Sequence, residues 1–164
     1  MTLHELNRID QLAFVRAIGW VFEHSPWVAE RAWLRRPFRT VGDLHASMVA
    51  VMTAASREEQ LALLQAHPDL GSRLAMSEAS TSEQAGAGLD RLSPHDVDRL
   101  RRLNTAYREQ FGFPFLFAVK GATAQQTLEA LSRRVHSSPG DEWAEALKQV
   151  ARIARFRLED SVSA

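Results

Sequence analysis

The sequence predicts an all-α protein, a single helical domain over residues 1–164 with about eight helices and one extended segment that crosses the core. Three observations predict this class. Apolar residues recur at three- and four-residue steps along most of the chain. Serine or threonine precedes several of these stretches, as at helix N-termini. No alternation of strands and helices is present, and 164 residues are enough to bury a substantial core.

The stretches of helical periodicity follow one another along the chain. They cover residues 10–22, 25–36, 42–54, 56–67, 80–92, 93–111, 123–135 and 141–158. The first begins at Asp10, and the second at Ser25 with a proline in its first turn, which suits the fixed φ of proline. The third carries an inward stripe from Leu44 to Met52. Each range is therefore predicted to form a helix.

Capping signals mark the starts of the later helices. Three pairs have the spacing of a capping box, namely Ser56 and Glu59, Ser80 and Glu83, and Thr123 and Gln126. Ser93 precedes a proline and opens a long helix, and Gly112 stands where a left-handed C-terminal cap belongs. The last helix is predicted from an apolar stripe made of Leu147, Val150, Ile153, Ala154 and Leu158.

Residues 113–119 differ from the helical stretches. Phe113, Phe115 and Phe117 alternate with other residues in a frame of proline and glycine that ends at Gly121. The pattern is typical of a strand, but an isolated strand has no partner for its backbone groups. We therefore expect an extended segment that crosses the helical core.

The charges of the chain balance, with 20 Lys and Arg residues against 20 Asp and Glu residues. A nucleic-acid-binding protein usually carries a basic excess that neutralises phosphates. The local basic cluster of Arg35, Arg36 and Arg39 is interpreted as a solvated helix end. The composition therefore predicts no nucleic-acid partner.

The chain contains no cysteine, which excludes disulfides, thiolate metal sites and cysteine nucleophiles. The N-terminal residues lack the basic head and apolar run of a signal peptide. No apolar stretch approaches the roughly 20 residues needed to span a bilayer. The last residues, which end at Ala164, do not form a peroxisomal address. We expect a cytoplasmic protein with no membrane partner.

The most informative motif for function is the run His-Pro-Asp-Leu-Gly at 67–71. The residue before a proline avoids the α conformation, so His67 is expected where the preceding helix ends. Histidine exchanges protons near neutral pH, and it also interacts favourably with a helix C-terminus, so both roles fit His67. The six histidines contain no pair at helical ligand spacing, and we expect no metal site.

Several further motifs occur with this run in one order and spacing. They lie at 22–27 (Phe-Glu-His-Ser-Pro-Trp), 36–38 (Arg-Pro-Phe), 80–84 (Ser-Thr-Ser-Glu-Gln), 87–89 (Ala-Gly-Leu), 103–104 (Leu-Asn) with Tyr107, and 111–115 (Phe-Gly-Phe-Pro-Phe). Together they closely resemble the decarboxylases of 2-oxo-4-hydroxy-4-carboxy-5-ureidoimidazoline (OHCU), from about residue 12 to 158. The resemblance implies a cofactor-free, cytoplasmic homodimer that converts OHCU to (S)-allantoin with release of carbon dioxide, in urate breakdown.

The resemblance also implies roles for individual residues. His67 matches the catalytic histidine of the family, and we expect Glu83 to share in catalysis. The implied substrate-binding residues are Pro68, Ser80, Thr81, Ser82, Glu83, Gln84, Phe115, Leu116, Phe117, Ala118, Val119 and Arg157. Backbone groups of 115–119 are expected to face the ligand. His67, Glu83 and Arg157 are expected to line one small cavity.

Two functions from other classes fit parts of the sequence. The tripeptide His-Pro-Asp at 67–69 occurs in J-domain co-chaperones, but the preceding helix lacks their basic face. A helical module that binds a protein partner without chemistry is the second alternative. Its anchors would be the tryptophans, Trp20, Trp27, Trp33 and Trp143. The decarboxylase interpretation is favoured because its motifs run along nearly the whole chain.

Overall fold

The computed structural model describes residues 1–69 and 92–164, and within these ranges it contains eight α-helices and no named strand. They are α1 (Leu3–Leu6), α2 (Gln11–Ile18), α3 (Trp27–Trp33), α4 (Val41–Ala54), α5 (Arg57–Ala66), α6 (Pro94–Phe111), α7 (Ala124–Arg134) and α8 (Pro139–Ser161). A 3₁₀ turn, Gly19–Val21, follows α2. The predicted all-α class is confirmed. The helix predicted over 80–92 lies outside the described residues.

Four of the predicted capping signals mark helix starts correctly. Side-chain oxygens of Asp10, Ser93 and Thr123 accept hydrogen bonds from backbone N–H groups of α2, α6 and α7. Ser56 and Glu59 bond each other's backbone N–H groups at the start of α5. Gly112 ends α6 with φ of 79°, a left-handed conformation that glycine adopts without steric cost.

The predicted cap at Ser25 is wrong. The Ser25 hydroxyl donates instead to the Glu23 carbonyl at 2.8 Å, and Pro26 occupies the N-cap position of α3 without a capping side chain. The cause lies one residue earlier, since His24 has φ of 44° and turns the chain sharply. The short helix α1, capped by Thr2, was not predicted.

The first compact unit comprises residues 1–66 and 150–164. Helix α3 packs against both α2 and α4. The core of the unit is made of fully buried side chains from several helices and from the residue after the 3₁₀ turn, among them Phe14, Ile18, Phe22, Leu44 and Met48. Thr2 and Ser163 form a parallel bridge, which joins the two chain segments of the unit.

The second compact unit comprises residues 67–149 and includes α6, α7 and the first part of α8. Its non-helical stretch after α6 is largely buried, as predicted for 113–119. The ring of Tyr107 contacts those of Phe111, Phe113 and Phe115, with centroids 4.6 to 6.0 Å apart. This aromatic cluster forms the core against which the non-helical stretch packs.

Two findings concern surface features of the chain. No helix in the described ranges is both long and apolar enough to cross a membrane. The basic cluster is only partly solvated: Arg35 and Arg39 are exposed, but Arg36 donates to the carbonyl groups of Asn7, Ile9 and Trp33. Arg36 therefore fixes the chain after α3 and is not simply a solvated helix end.

Candidate active site

His67 lies directly after α5 and is only 6% exposed, whereas Pro68 is exposed. The next residue, Asp69, accepts a hydrogen bond from the Asn104 side-chain amide at 2.8 Å. The same carboxylate lies 3.7 Å from the Arg108 guanidinium. Both partners belong to α6. The segment that carries His67 is therefore bound to α6 through Asp69, two residues after the histidine.

Asn104 is itself buried, with 4% of its surface exposed. Because a carboxylate only accepts hydrogen bonds, the contact with Asp69 requires the Asn104 NH₂ group to face it. The other side-chain atom, Oδ1, accepts no hydrogen bond from any described residue. A buried acceptor of this kind favours a bound N–H donor, because its desolvation is otherwise uncompensated.

Two polar side chains hold the segment 115–119 from within the second unit. The Leu116 carbonyl accepts a hydrogen bond from the Arg134 guanidinium at 2.5 Å. The Ala118 N–H donates to Gln149 Oε1 at 2.9 Å. Phe115, Leu116 and Ala118 are buried, Phe117 is half-buried and Val119 is exposed.

Arg134 belongs to a buried polar network. Its Nε and Nη2 groups donate to Glu142, and its guanidinium also lies 4.7 Å from the centre of the Phe115 ring. The Tyr107 hydroxyl donates to the same Glu142 carboxylate. Burial, together with this hydrogen bond to a carboxylate, raises the pKa of Tyr107 above its usual value. The network keeps each of its charges paired inside the second unit.

Arg157 has a different environment, in the first unit. It forms an ion pair of 2.8 Å with Glu23 and also donates to the carbonyl groups of Trp20 and Val21 at 3.3 Å. Arg157, Glu23, Trp20 and His24 are among the residues lining an open groove of about 420 Å³. Its guanidinium is therefore close to a space that a small ligand can enter.

The structure places the predicted site residues in two groups. His67, Pro68 and 115–119 belong to the second unit, whereas Arg157 belongs to the first. The predicted binding run from Ser80 to Gln84, which contains the proposed catalytic Glu83, lies outside the described residues. The single cavity expected for these side chains stays a prediction.

Several residues of the candidate site received no role from the sequence. Asn104 and Glu23 stood within the family motifs, so their positions were marked without a chemical function. Gln149 is buried and lies next to the apolar stripe of α8. Its place beside that stripe is the sequence signal that could have indicated a buried polar side chain. Arg134, in the last turn of α7, gave none, because basic residues are common at helix C-termini.

The sequence profile of the OHCU decarboxylase family matches residues 7–159. The chain belongs to the OHCU decarboxylase family. A relative from Haloferax volcanii, 2-oxo-4-hydroxy-4-carboxy-5-ureidoimidazoline decarboxylase, is 48% identical over 163 residues, covering 99% of this chain and 97% of that protein. The family indicated by the sequence motifs is therefore confirmed, and with it the assignment to a family of carboxy-lyases.

Two longer proteins contain a region similar to this OHCU decarboxylase family member. The uric acid degradation bifunctional protein of Bacillus subtilis is 43% identical over 162 residues, covering 99% of this chain and 33% of that protein. A crystal structure of (S)-allantoin synthase matches with a TM-score of 0.83 and 34% identity, covering 99% of this chain. The present chain spans about half, 54%, of that chain.

Proposed function

We propose that this protein catalyses the decarboxylation of OHCU to (S)-allantoin in urate catabolism. The observation that supports this most strongly is the extent of the similarity. The family profile matches residues 7–159, and a decarboxylase of this substrate is 48% identical along nearly all of both chains. The buried histidine after α5 provides a residue suited to the required proton transfers.

The chemistry of OHCU explains what the protein has to supply. One ring carbon carries both a hydroxyl and a carboxylate, and the neighbouring carbon forms a C=N bond. When the bond to the carboxylate breaks, its electron pair forms a C=C bond, and the C=N electrons move to nitrogen, which takes a proton. The resulting enol loses its hydroxyl proton and becomes a carbonyl, while the neighbouring carbon, which had formed the C=N bond, takes a proton. The substrate is thus its own electron sink, and the protein has to orient it and move protons.

His67 is proposed as the group that acts at the hydroxyl and carboxylate end. A hydrogen bond from its ring holds the carboxylate out of the ring plane, where the breaking bond overlaps with the C=N π system. The same imidazole then takes part in the proton rearrangement. The attachment of Asp69 to Asn104 supports this role, because it restrains the segment that carries His67.

The remaining proposed contacts bind the polar edges of the substrate. Glu83 and the first N–H groups of the helix predicted from Ser80 are proposed to bind the ureido and ring amides. The Asn104 Oδ1 atom is a further acceptor for such an N–H group. Backbone groups of 115–119 are proposed to bind the ring. Arg157, on the wall of its groove, is proposed to hold a substrate oxygen.

We also propose that the enzyme works without a metal or an organic cofactor, as a cytoplasmic homodimer. The electron sink within OHCU supports the first point, since the reaction needs no external one. Dialysis against a chelator should leave the rate unchanged, and a lower rate restored by a metal ion would contradict this point. Light scattering in solution should give twice the mass of 18.4 kDa calculated for one chain.

The function is tested with OHCU generated from urate by purified upstream enzymes. Addition of the protein should accelerate carbon dioxide release far above the rate in buffer, with allantoin of one handedness as product. A release rate equal to that in buffer would overturn the proposal. Purified protein that leaves OHCU unchanged but binds a protein partner would favour the non-catalytic interaction module.

A further inference from the structure

We propose that Arg134 and Gln149 are positioning residues that present the Phe117 N–H and C=O groups to the substrate. They hold the flanking backbone groups, the Leu116 carbonyl and the Ala118 N–H, towards the interior of the second unit. The opposite side of the extended backbone is then left to the N–H and C=O groups of Phe117, a donor and an acceptor that match an amide or ureido group of the substrate. This inference rests on the proposed function and identifies which part of 115–119 makes the contact.

The geometry of the aromatic rings indicates an extended backbone at this point. The Phe115 and Phe117 rings stack with centroids 6.1 Å apart and an interplanar angle of 12°. Side chains two residues apart in an extended chain lie on the same face, separated by about twice the rise of 3.2–3.4 Å. The observed separation agrees with this spacing.

An extended chain directs its backbone groups to alternate sides. The N–H and C=O groups of one residue point to one side, and the preceding C=O and the following N–H point to the other. The Leu116 carbonyl and the Ala118 N–H are bound by Arg134 and Gln149, so these two groups define the inner side. Among the described residues, no backbone group bonds the N–H or C=O of Phe117. Both groups therefore point away from the inner side.

The side chains that hold the segment are buried and themselves oriented by partners. Arg134 is directed by two donations to Glu142, and Gln149 by a hydrogen bond from its Nε2 to Glu145 at 2.8 Å. A buried ion pair contributes little net stability compared with apolar side chains of the same size. The ion pair with Glu142 does fix the direction in which Arg134 donates its hydrogen bond to the Leu116 carbonyl. This supports a role in orientation.

The test compares two substitutions of buried glutamines that bond backbone groups. Gln149→Met removes the acceptor of the Ala118 N–H. Gln60→Met is the matched control, since Gln60 donates to the Met52 and Thr53 carbonyls of the first unit. We expect Gln149→Met to raise the KM for OHCU about tenfold, the equivalent of one hydrogen bond, while kcat stays close to the wild-type value. Gln60→Met should lower the melting temperature but leave KM unchanged.

A double variant tests whether the acceptor at position 149 is what matters. In Glu145→Gln/Gln149→Glu the carboxylate at position 149 still accepts from the Ala118 N–H, and the amide at position 145 donates to that carboxylate. KM should therefore return towards the wild-type value. If Gln149→Met does not fold, Glu145→Ala tests the same contact at a half-buried position. It releases Gln149 from its partner, and a smaller rise in KM is expected.

The outcomes separate this inference from the proposed function. Wild-type turnover of OHCU combined with an unchanged KM in folded Gln149→Met or Glu145→Ala would overturn the inference alone. An equal rise in KM for Gln60→Met would overturn it as well, because the effect would then be a general loss of packing. Absence of turnover by the wild-type protein would overturn the proposed function, and the inference with it.

Discussion

Two arginines of this chain have opposite environments. The Arg134 side chain is 6% exposed, and all three of its nitrogens donate to protein groups of the second unit. The Arg157 side chain is 28% exposed and forms its ion pair with Glu23 on the wall of an open groove in the first unit. Each is paired with a glutamate, and Arg157 also lines a groove that a small ligand can enter.

The difference shows how burial decides what an ion pair does. A buried pair costs desolvation, and removal of one partner leaves an unpaired charge in a medium of low dielectric constant. A partly exposed pair contributes little to stability, and its cation remains able to bind an anionic or carbonyl group. The burial of Arg134 gives it a role in the architecture of the second unit, whereas Arg157 is the arginine that we propose binds the ligand.

The largest effect is expected for Arg134→Ala, which leaves Glu142 buried and unpaired. The free energy of unfolding should fall by about 3–5 kcal/mol, measured by urea denaturation. The double variant Arg134→Met/Glu142→Gln is the control, since it removes both charges and should recover most of the loss. A loss below about 1 kcal/mol in Arg134→Ala would mean that the pair is not buried in solution.

His67 is buried like Arg134, but its proposed role is catalytic rather than architectural. His67→Asn should fold with nearly the stability of the wild-type protein and lose about 10²–10⁴-fold in kcat. Stopped-flow kinetics with OHCU measure the loss, and circular dichroism reports the fold. Wild-type turnover in the folded variant would remove His67 from the mechanism.

Glu83 separates a catalytic role from a capping role. Glu83→Gln keeps the polar side chain of the predicted capping box, so a catalytic role predicts a fall in kcat of about 10²-fold with little loss of stability. A capping role alone predicts intact activity per folded molecule, and a loss of about 1 kcal/mol on substitution by alanine. Turnover and thermal unfolding of both variants decide between the two.

Arg157→Ala is expected to be the reverse of Arg134→Ala. Its stability should change by about 0–1 kcal/mol, whereas kcat/KM for OHCU should fall roughly ten- to a hundredfold, as for a lost charged hydrogen bond. Glu23→Gln is the control, because it removes the ion pair but keeps the guanidinium. If both variants lose activity equally, the ion pair matters and direct binding by Arg157 does not.

The smallest effect concerns alkaline pH and Tyr107, the one tyrosine of the chain. Its folded-state pKa is raised, so the neutral phenol is favoured in the fold, while in the unfolded chain it ionises near 10. Stability should therefore be complete below about pH 10 and fall by up to about 1.4 kcal/mol per pH unit above it. The free energy of unfolding of Tyr107→Phe, measured by urea denaturation, should not show this decrease above about pH 10. Tyrosinate absorbance that rises near pH 10 in the folded protein would contradict it.

Local signals in the sequence predicted much of the fold. Helical periodicity and capping residues act within a few positions of the chain, so Ser93 and Thr123 were assigned correctly. Ser25 was not, because the left-handed conformation of His24 redirects the chain. The contacts of Arg134 and Gln149 with the segment 115–119 join residues 18 and 31 positions apart, and such contacts depend on tertiary packing. The family motifs supplied the rest of the candidate site.

The most direct measurement of the central claim is the handedness of allantoin during the first moments after OHCU is generated from urate. Circular dichroism of the wild-type reaction should show (S)-allantoin in large excess from the start, and His67→Asn should form it about 10²–10⁴-fold more slowly. Racemic product formed at the buffer rate in the presence of folded wild-type protein would contradict the assignment of this chain as an OHCU decarboxylase.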